Sequence, residues 1–177
     1  PKLVVTGSAN MLAGATNSLT IEAQDSAGAA VTSYTNAKNI TFKLTPAGDH
    51  RSPDGTSPTV TAAAASFGAA DSISASVTFD ATGKAASVPL KLYKKENITL
   101  NAEETGALAS RILSQSGLNI SVGVTAISAG TSTVVPSPSS RVANGIESST
   151  ITVTLKDAYQ NVIAGKSVNL STTFNLG

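Results

Sequence analysis

The sequence has no cysteine, no tryptophan and a single histidine, His50, in 177 residues. Without cysteine there is no disulfide framework, no thiol nucleophile and no thiolate zinc site, and one imidazole makes no histidine-rich metal cluster. A charge excess of either sign is also lacking. The 12 Lys and Arg against 11 Asp and Glu leave a net charge of +1, so no basic field draws in nucleic acid phosphates or an anionic membrane. No run approaches the ~18 consecutive apolar residues of a membrane span, and Pro1 to Asn10 lacks the basic start and apolar stretch of a signal peptide. The missing thiols fit a protein exported from a bacterium and fit the cytosol equally. A hydrophobic content of 41% suits a globular chain and not a disordered one. A start at Pro1 and a stop at Phe174-Asn175-Leu176-Gly177, just after a strand-like run, are expected of a portion of a longer polypeptide.

What is present is alternation with period two. Leu19, Ile21 and Ala23 alternate with Thr20, Glu22 and Gln24, and Ile40, Phe42 and Leu44 with Thr41, Lys43 and Thr45. The pattern returns at Ala75-Val77-Phe79, Val88-Leu90-Leu92, Ile98-Leu100-Ala102, Leu118-Ile120-Val122-Val124, Ile151-Val153-Leu155 and Val168-Leu170, each read as a half-buried strand. Turn clusters separate these runs: Asp25-Ser26-Ala27-Gly28, Asp54-Gly55, Asp80 to Lys84, and Asn144-Gly145. Short strands with regular turn signals predict an all-β sandwich or barrel. Alanine-rich Thr61 to Ala70, and Glu103 to Gln115 with Leu108 and Ile112 four apart, carry competing helical signals. Gly68 and Gly106 argue for loops or single helical turns there.

The chain also matches itself. Thr20 to Ala27 has the pattern of Thr152 to Tyr159, a strand ending in Asp before a small turn, and Asn39 to Leu44 finds a counterpart in Ser167 to Thr172. The repeat predicts one complete domain over residues 1–125 and the first strands of a second over 126–177. Half a sandwich leaves its inner face and strand edges unpaired, so something is expected to cover it: further polypeptide, a second copy through strand-mediated self-association, or an added strand. Proline-containing Val134 to Ser140 is read as an edge strand of the second unit, because edge positions need not donate to a ladder.

Candidate chemistry is sparse. His50, the sole imidazole, lies in the polar run Gly48 to Gly55; a catalytic or metal-binding role is the alternative, and it is read as a solvated loop residue. Asp49 and Asp54 flank this loop and are weak Ca²⁺ candidates, against a spacing unlike an EF-hand and the opposing charge of Arg51. Asp80 and Asp157 end strands and are expected to cap turns. Glu103 and Glu104 are adjacent on one strand, so they point to opposite faces and cannot flank a glycosidic bond. Tyr34 and Tyr93 are weak candidates for a sugar-stacking face, whereas Tyr159 sits at a turn and is read as packing there. Lys91, Lys94 and Lys95 with Glu96 form a charged strand end suited to edge protection. Triplets at Asn39, Asn97, Asn119 and Asn169 match the glycosylation acceptor pattern, which arises readily by chance on a polar strand face. No catalytic residue, no cofactor site and no metal ligand set beyond the Ca²⁺ candidates is assigned.

The run Thr131 to Thr172 resembles the bacterial Ig-like repeats of the invasin and intimin type. It carries an Ala143-Asn144-Gly145 turn, Thr152-Val153-Thr154-Leu155-Lys156-Asp157 leading to Asn161, and Val162-Ile163-Ala164-Gly165-Lys166-Ser167-Val168-Asn169-Leu170-Ser171. It departs at Gln160, where these repeats usually have Gly. Residues 1–124 are similar more loosely, through Val77 to Ala85 and Val88 to Tyr93. The resemblance implies an Ig-like sandwich in an extracellular, surface-exposed or secreted multidomain bacterial protein, where such units form stalks or present adhesive tips. Partners are then neighbouring Ig-like domains of the same polypeptide and a host or surface protein or glycan, with no nucleic acid and no membrane insertion by this segment. A carbohydrate-binding accessory module of a secreted polysaccharide-degrading enzyme, and an Ig-like module of a phage or appendage assembly, are the alternatives.

Overall fold

The computed structural model describes residues 2–61, 63–104 and 113–171. Thirteen strands and no helix occur among them. One sheet runs in the order β10 (Leu113–Ser116), β1 (Lys2–Thr6), β3 (Thr16–Gln24), β8 (Lys84–Lys91), β5 (Thr59–Val60) and β6 (Ala65–Ser66). A second runs β2 (Asn10–Leu12), β11 (Leu118–Gly123), β9 (Asn97–Glu104), β4 (Asn36–Thr45) and β7 (Ser72–Phe79). A third consists of β12 (Thr133–Ser137) and β13 (Thr150–Thr154).

Alternation puts Leu3, Leu19, Ile21 and Leu90 of the first sheet against Ile40, Phe42, Leu44, Leu100 and Ile120 of the second, all fully or almost fully buried. Each such side chain contributes roughly 1.5–3 kcal/mol of burial. The core draws on residues from Leu3 to Val122, with Tyr159 packed on it from farther along the chain. The Ig-like, all-β reading thus describes the molecule.

The first segment serves both sheets. β1 pairs with β3 antiparallel and β10 parallel, and then the chain crosses over so that β2 pairs parallel with β11 in the other sheet. Gly7 makes the crossing, where an added Cβ would come within 2.8 Å of Leu19 Cδ2. Buried Asn17 fixes it from β3. Its Oδ1 accepts from the Ser8 amide at 2.9 Å and its Nδ2 donates to the Ser8 carbonyl at 2.8 Å.

One reading is sharpened and one expectation changes. Thr61 to Ala70 forms no helix among its described residues. Val60 pairs with Leu90 and Ala65, and the Thr61 amide donates to the Pro89 carbonyl, so the alanine-rich stretch closes a hairpin on the sheet edge instead of coiling. Val168 and Leu170 lie outside any strand and are exposed. The proposed counterpart of β4 there has no ladder to join among the described residues, and a strand without a ladder gains too little to form. Residues 105–112, with Leu108 and Ile112, and Thr172 to Gly177 lie outside the described residues.

Asn17→Ala leaves both Ser8 backbone groups without their partner where the chain changes sheets, and is expected to cost about 2 kcal/mol. Urea unfolding of the full chain measures it.

Candidate functional site at the Asp157 turn

Three five-residue turns follow one scheme. In each, the leading Asp amide donates to the fifth residue's carbonyl and the Asp carbonyl accepts from the fourth residue's amide. One carboxylate oxygen accepts from the third and fifth amides. For Asp25 that oxygen takes Ala27 and Ala29 at 2.9 Å each, for Asp80 it takes Thr82 and Lys84 at 2.8 and 3.2 Å, and for Asp157 it takes Tyr159 and Asn161 at 3.0 and 2.9 Å. The fourth position needs positive φ: Gly28 has 91°, Gly83 has 76° and Gln160 has 63°. The first and third turns also share their flanks. Val31 donates to the Ala23 carbonyl as Ile163 does to Leu155, and Gln24 bridges Ala30 as Lys156 bridges Val162. The repeat proposed from Thr20 to Ala27 and Thr152 to Tyr159 is therefore present bond for bond at the turn.

The copies differ in surroundings. Ala27 and Ala29 are exposed, whereas Asp157 and Asn161 are buried against the segment that joins β8 to β9. Asn161 donates through Nδ2 to the Tyr93 carbonyl at 2.8 Å and accepts at Oδ1 from the Lys95 amide at 2.8 Å. The second Asp157 oxygen accepts from the Thr125 amide and from Asn161 Nδ2, each at 3.1 Å. Four N–H groups thus meet a carboxylate with 0% exposure, so its negative charge is balanced by dipoles instead of a cation. Tyr159 packs its ring edge-on to Tyr93, centroids 5.0 Å apart. It also occupies the space a Cβ would take at Gly14, only 2.1 Å from its hydroxyl oxygen. Thr131 adds a bond from Oγ1 to the Asp157 carbonyl at 2.7 Å.

The other residues singled out from the sequence fall elsewhere. His50 is buried at 3% exposure, not solvated, because its Nδ1 pairs with Glu96 Oε1 at 3.0 Å. Lys94 reaches the same carboxylate and the Asp49 carbonyl, so the charged strand end is an internal clasp as well as an edge. Asp49 is paired with Arg51 through Nε and Nη2, and that guanidinium holds its carboxyl down to about 2. Asp54 accepts from the Ser52 hydroxyl and the Thr56 amide. The two carboxylates proposed for Ca²⁺ thus serve separate local bonds, and no three metal-ligating side chains converge among the described residues. Tyr34 lies in the core against Phe79, and burial with the neighbouring Glu104 carboxylate pushes its phenol well above the ordinary range. Tyr93 is half-buried, with the Tyr159 ring packed against it. Asp80 and Asp157 cap turns as read, and Tyr159 packs. Gly14 and Thr125 were not singled out, Lys95 was read only as part of the charged strand end, and Asn161 only as a position of the repeat motif. The one signal was an Asn where the turn itself requires only a backbone.

The architecture is that of an Ig-like sandwich followed by a docked strand pair. Residues 128–177 match the family Invasin, domain 3. Among solved structures, the chain is similar to the Escherichia coli adhesin FdeC, with 20% identity and a TM-score of 0.50 over 90% of this chain and 41% of that one. It is also similar to invasin, a bacterial integrin-binding protein, with 18% identity and a TM-score of 0.41 over 90% of this chain and 27% of that one. This chain therefore spans less than half the length of either. Among curated proteins none matches the sequence. The invasin-type reading of the second repeat and the Ig-like reading of the fold both stand.

Asp157→Ala removes the acceptor of four N–H groups and is expected to cost roughly 3 kcal/mol of docking. Amide exchange at Thr125, Lys95 and Asn161 should accelerate while exchange in β3 and β9 stays unchanged. Gln160→Gly relieves a left-handed side-chain penalty and is expected to stabilise by roughly 0.5–1 kcal/mol, read as a higher melting temperature.

Proposed function

We propose that the chain is a non-catalytic structural module of an extracellular bacterial surface protein, a spacer that holds successive Ig-like units in fixed orientation. The observation that carries this reading is the Asp157 to Asn161 turn, seated on the preceding sandwich through two side chains that the turn does not itself need. A stalk requires that orientation survive from unit to unit, and the Asn161 carboxamide, which accepts from the Lys95 amide 66 residues away, supplies that constraint. Residues 1–125 are then one complete unit and 126–177 the opening strands of the next. Equivalence of the two turns supports this division. Ile151 at 50% exposure occupies the repeat position of Leu19 at 0%, so the second unit has the face of a sandwich without its cover. The match of residues 128–177 to an invasin domain and the fold shared with an E. coli adhesin support a surface location and an adhesive or presenting role.

Residual dipolar couplings on the full chain test the reading. Residues 2–104 and 128–165 are expected to share one alignment tensor in the wild type and to report two in the Asp157→Ala/Asn161→Ala variant. Separate tensors in the wild type would refute a rigid spacer.

A further inference from the structure

The outward face of the second sheet carries a groove of about 410 Å³ that neither the turn nor the core uses. Its side chains come from four strands in two rows. Asn10, Ser121 and Asn97 stand side by side in the first, and Asn119, Thr99 and Thr45 in the second, as the strand registers require. Pro46 closes one wall. None of the lining residues is charged.

The hydrogen-bond inventory is open. Thr99 Oγ1 donates to Asn119 Oδ1 at 2.6 Å, which orients that amide and leaves its NH₂ for another partner. Thr45 Oγ1 donates to the Thr99 carbonyl. Among the described residues the carboxamides of Asn10 and Asn97 make no hydrogen bond, and both residues are exposed. A carboxamide offers donors and an acceptor side by side, the complement of a vicinal diol. Neighbouring strands lie about 4.8 Å apart and alternate residues about 6.7 Å apart, so the rows repeat on the scale of hydroxyls around a pyranose ring.

The groove wall is also built. The loop after Pro46 is held by buried His50, bonded to Glu96, and Glu96 directly precedes Asn97. Lys94 binds Glu96 and the Asp49 carbonyl, tying the same two segments. The half-buried pair thus ties the loop that follows Pro46 to the residue before Asn97.

We propose that this groove binds a neutral oligosaccharide through Asn10, Asn97, Asn119 and Ser121, with Pro46 against the apolar face of a sugar ring. Absence of charge in the lining selects against anionic sugars, and absence of an acid pair makes the site one of binding, not cleavage. Such a shallow groove, whose uncharged polar groups sit among more apolar surface, binds weakly, with Kd on the order of millimolar. The inference goes beyond the spacer reading and does not rest on it.

The test is a two-dimensional amide NMR titration of the full chain with maltotriose, cellotriose and tri-N-acetylchitotriose, each to about 10 mM. At least one is expected to shift Asn10, Asn97, Thr99, Asn119 and Ser121 selectively. Asn97→Ala/Asn119→Ala should weaken that binding about tenfold with an unchanged melting temperature, and Ser76→Ala on the outer face of β7 should leave it intact. No shift with any of the three, shifts that respond equally to Ser76→Ala, or tighter binding of anionic 3′-sialyllactose than of every neutral sugar would overturn the proposal.

Discussion

An aspartate that caps its own turn is the constraint on which this molecule depends. A chain of strands reverses direction many times, and every reversal strands amide donors that a helix would satisfy internally. Asp25, Asp80 and Asp157 solve this in the same way, each collecting two amides on one oxygen. The turns also lock to their neighbours: the Gly83 carbonyl accepts from Ala23, and a Cβ at Gly83 would lie 2.4 Å from the Val31 carbonyl oxygen. The first and second turns therefore brace one another inside the sandwich. Among the described residues the third has no such neighbour, and its second carboxylate oxygen accepts from the Thr125 amide instead.

The arrangement is economical because the docking side chains are additions to a turn that already closes. Replacing Ala27 and Ala29 of the first repeat by Tyr159 and Asn161 in the second leaves the backbone scheme unchanged and adds a ring and a carboxamide directed at the preceding unit. The receiving surface is as specific as the plug. Gly14 clears space for the ring, and Tyr93 and Lys95 offer a carbonyl and an amide just where the chain leaves β8, before β9 consumes such groups in its ladder.

Much of the fold was legible in the sequence because period-two burial writes itself directly into residue order. Leu19 to Ala23, Ile40 to Leu44 and Ile98 to Ala102 are all strands with those side chains inside. The Asp-headed turns were legible for the same reason of locality. What stayed hidden depends on contacts far apart in sequence. The crossing at Gly7 is set by Asn17, the burial of His50 by Glu96, and the role of Asn161 by Tyr93 and Lys95. Val168 and Leu170 show the converse: alternation without a neighbouring strand does not make one. The outer-face groove was equally invisible, since its rows exist only once β2, β9 and β11 are in register.

The change of sheet between β1 and β2 bears on how the sandwich carries tension. Because β2 lies parallel to β11, a pull that separates residue 2 from Thr125 drives these two strands past one another along their length. Their cross-strand bonds then bear the load together, as the rungs of a ladder do in shear, and do not open singly from one end. The same hydrogen bonds that look modest in an equilibrium account thus act in parallel as a mechanical clamp, and the direction in which the strand lies matters more to the breaking force than the number of bonds it makes.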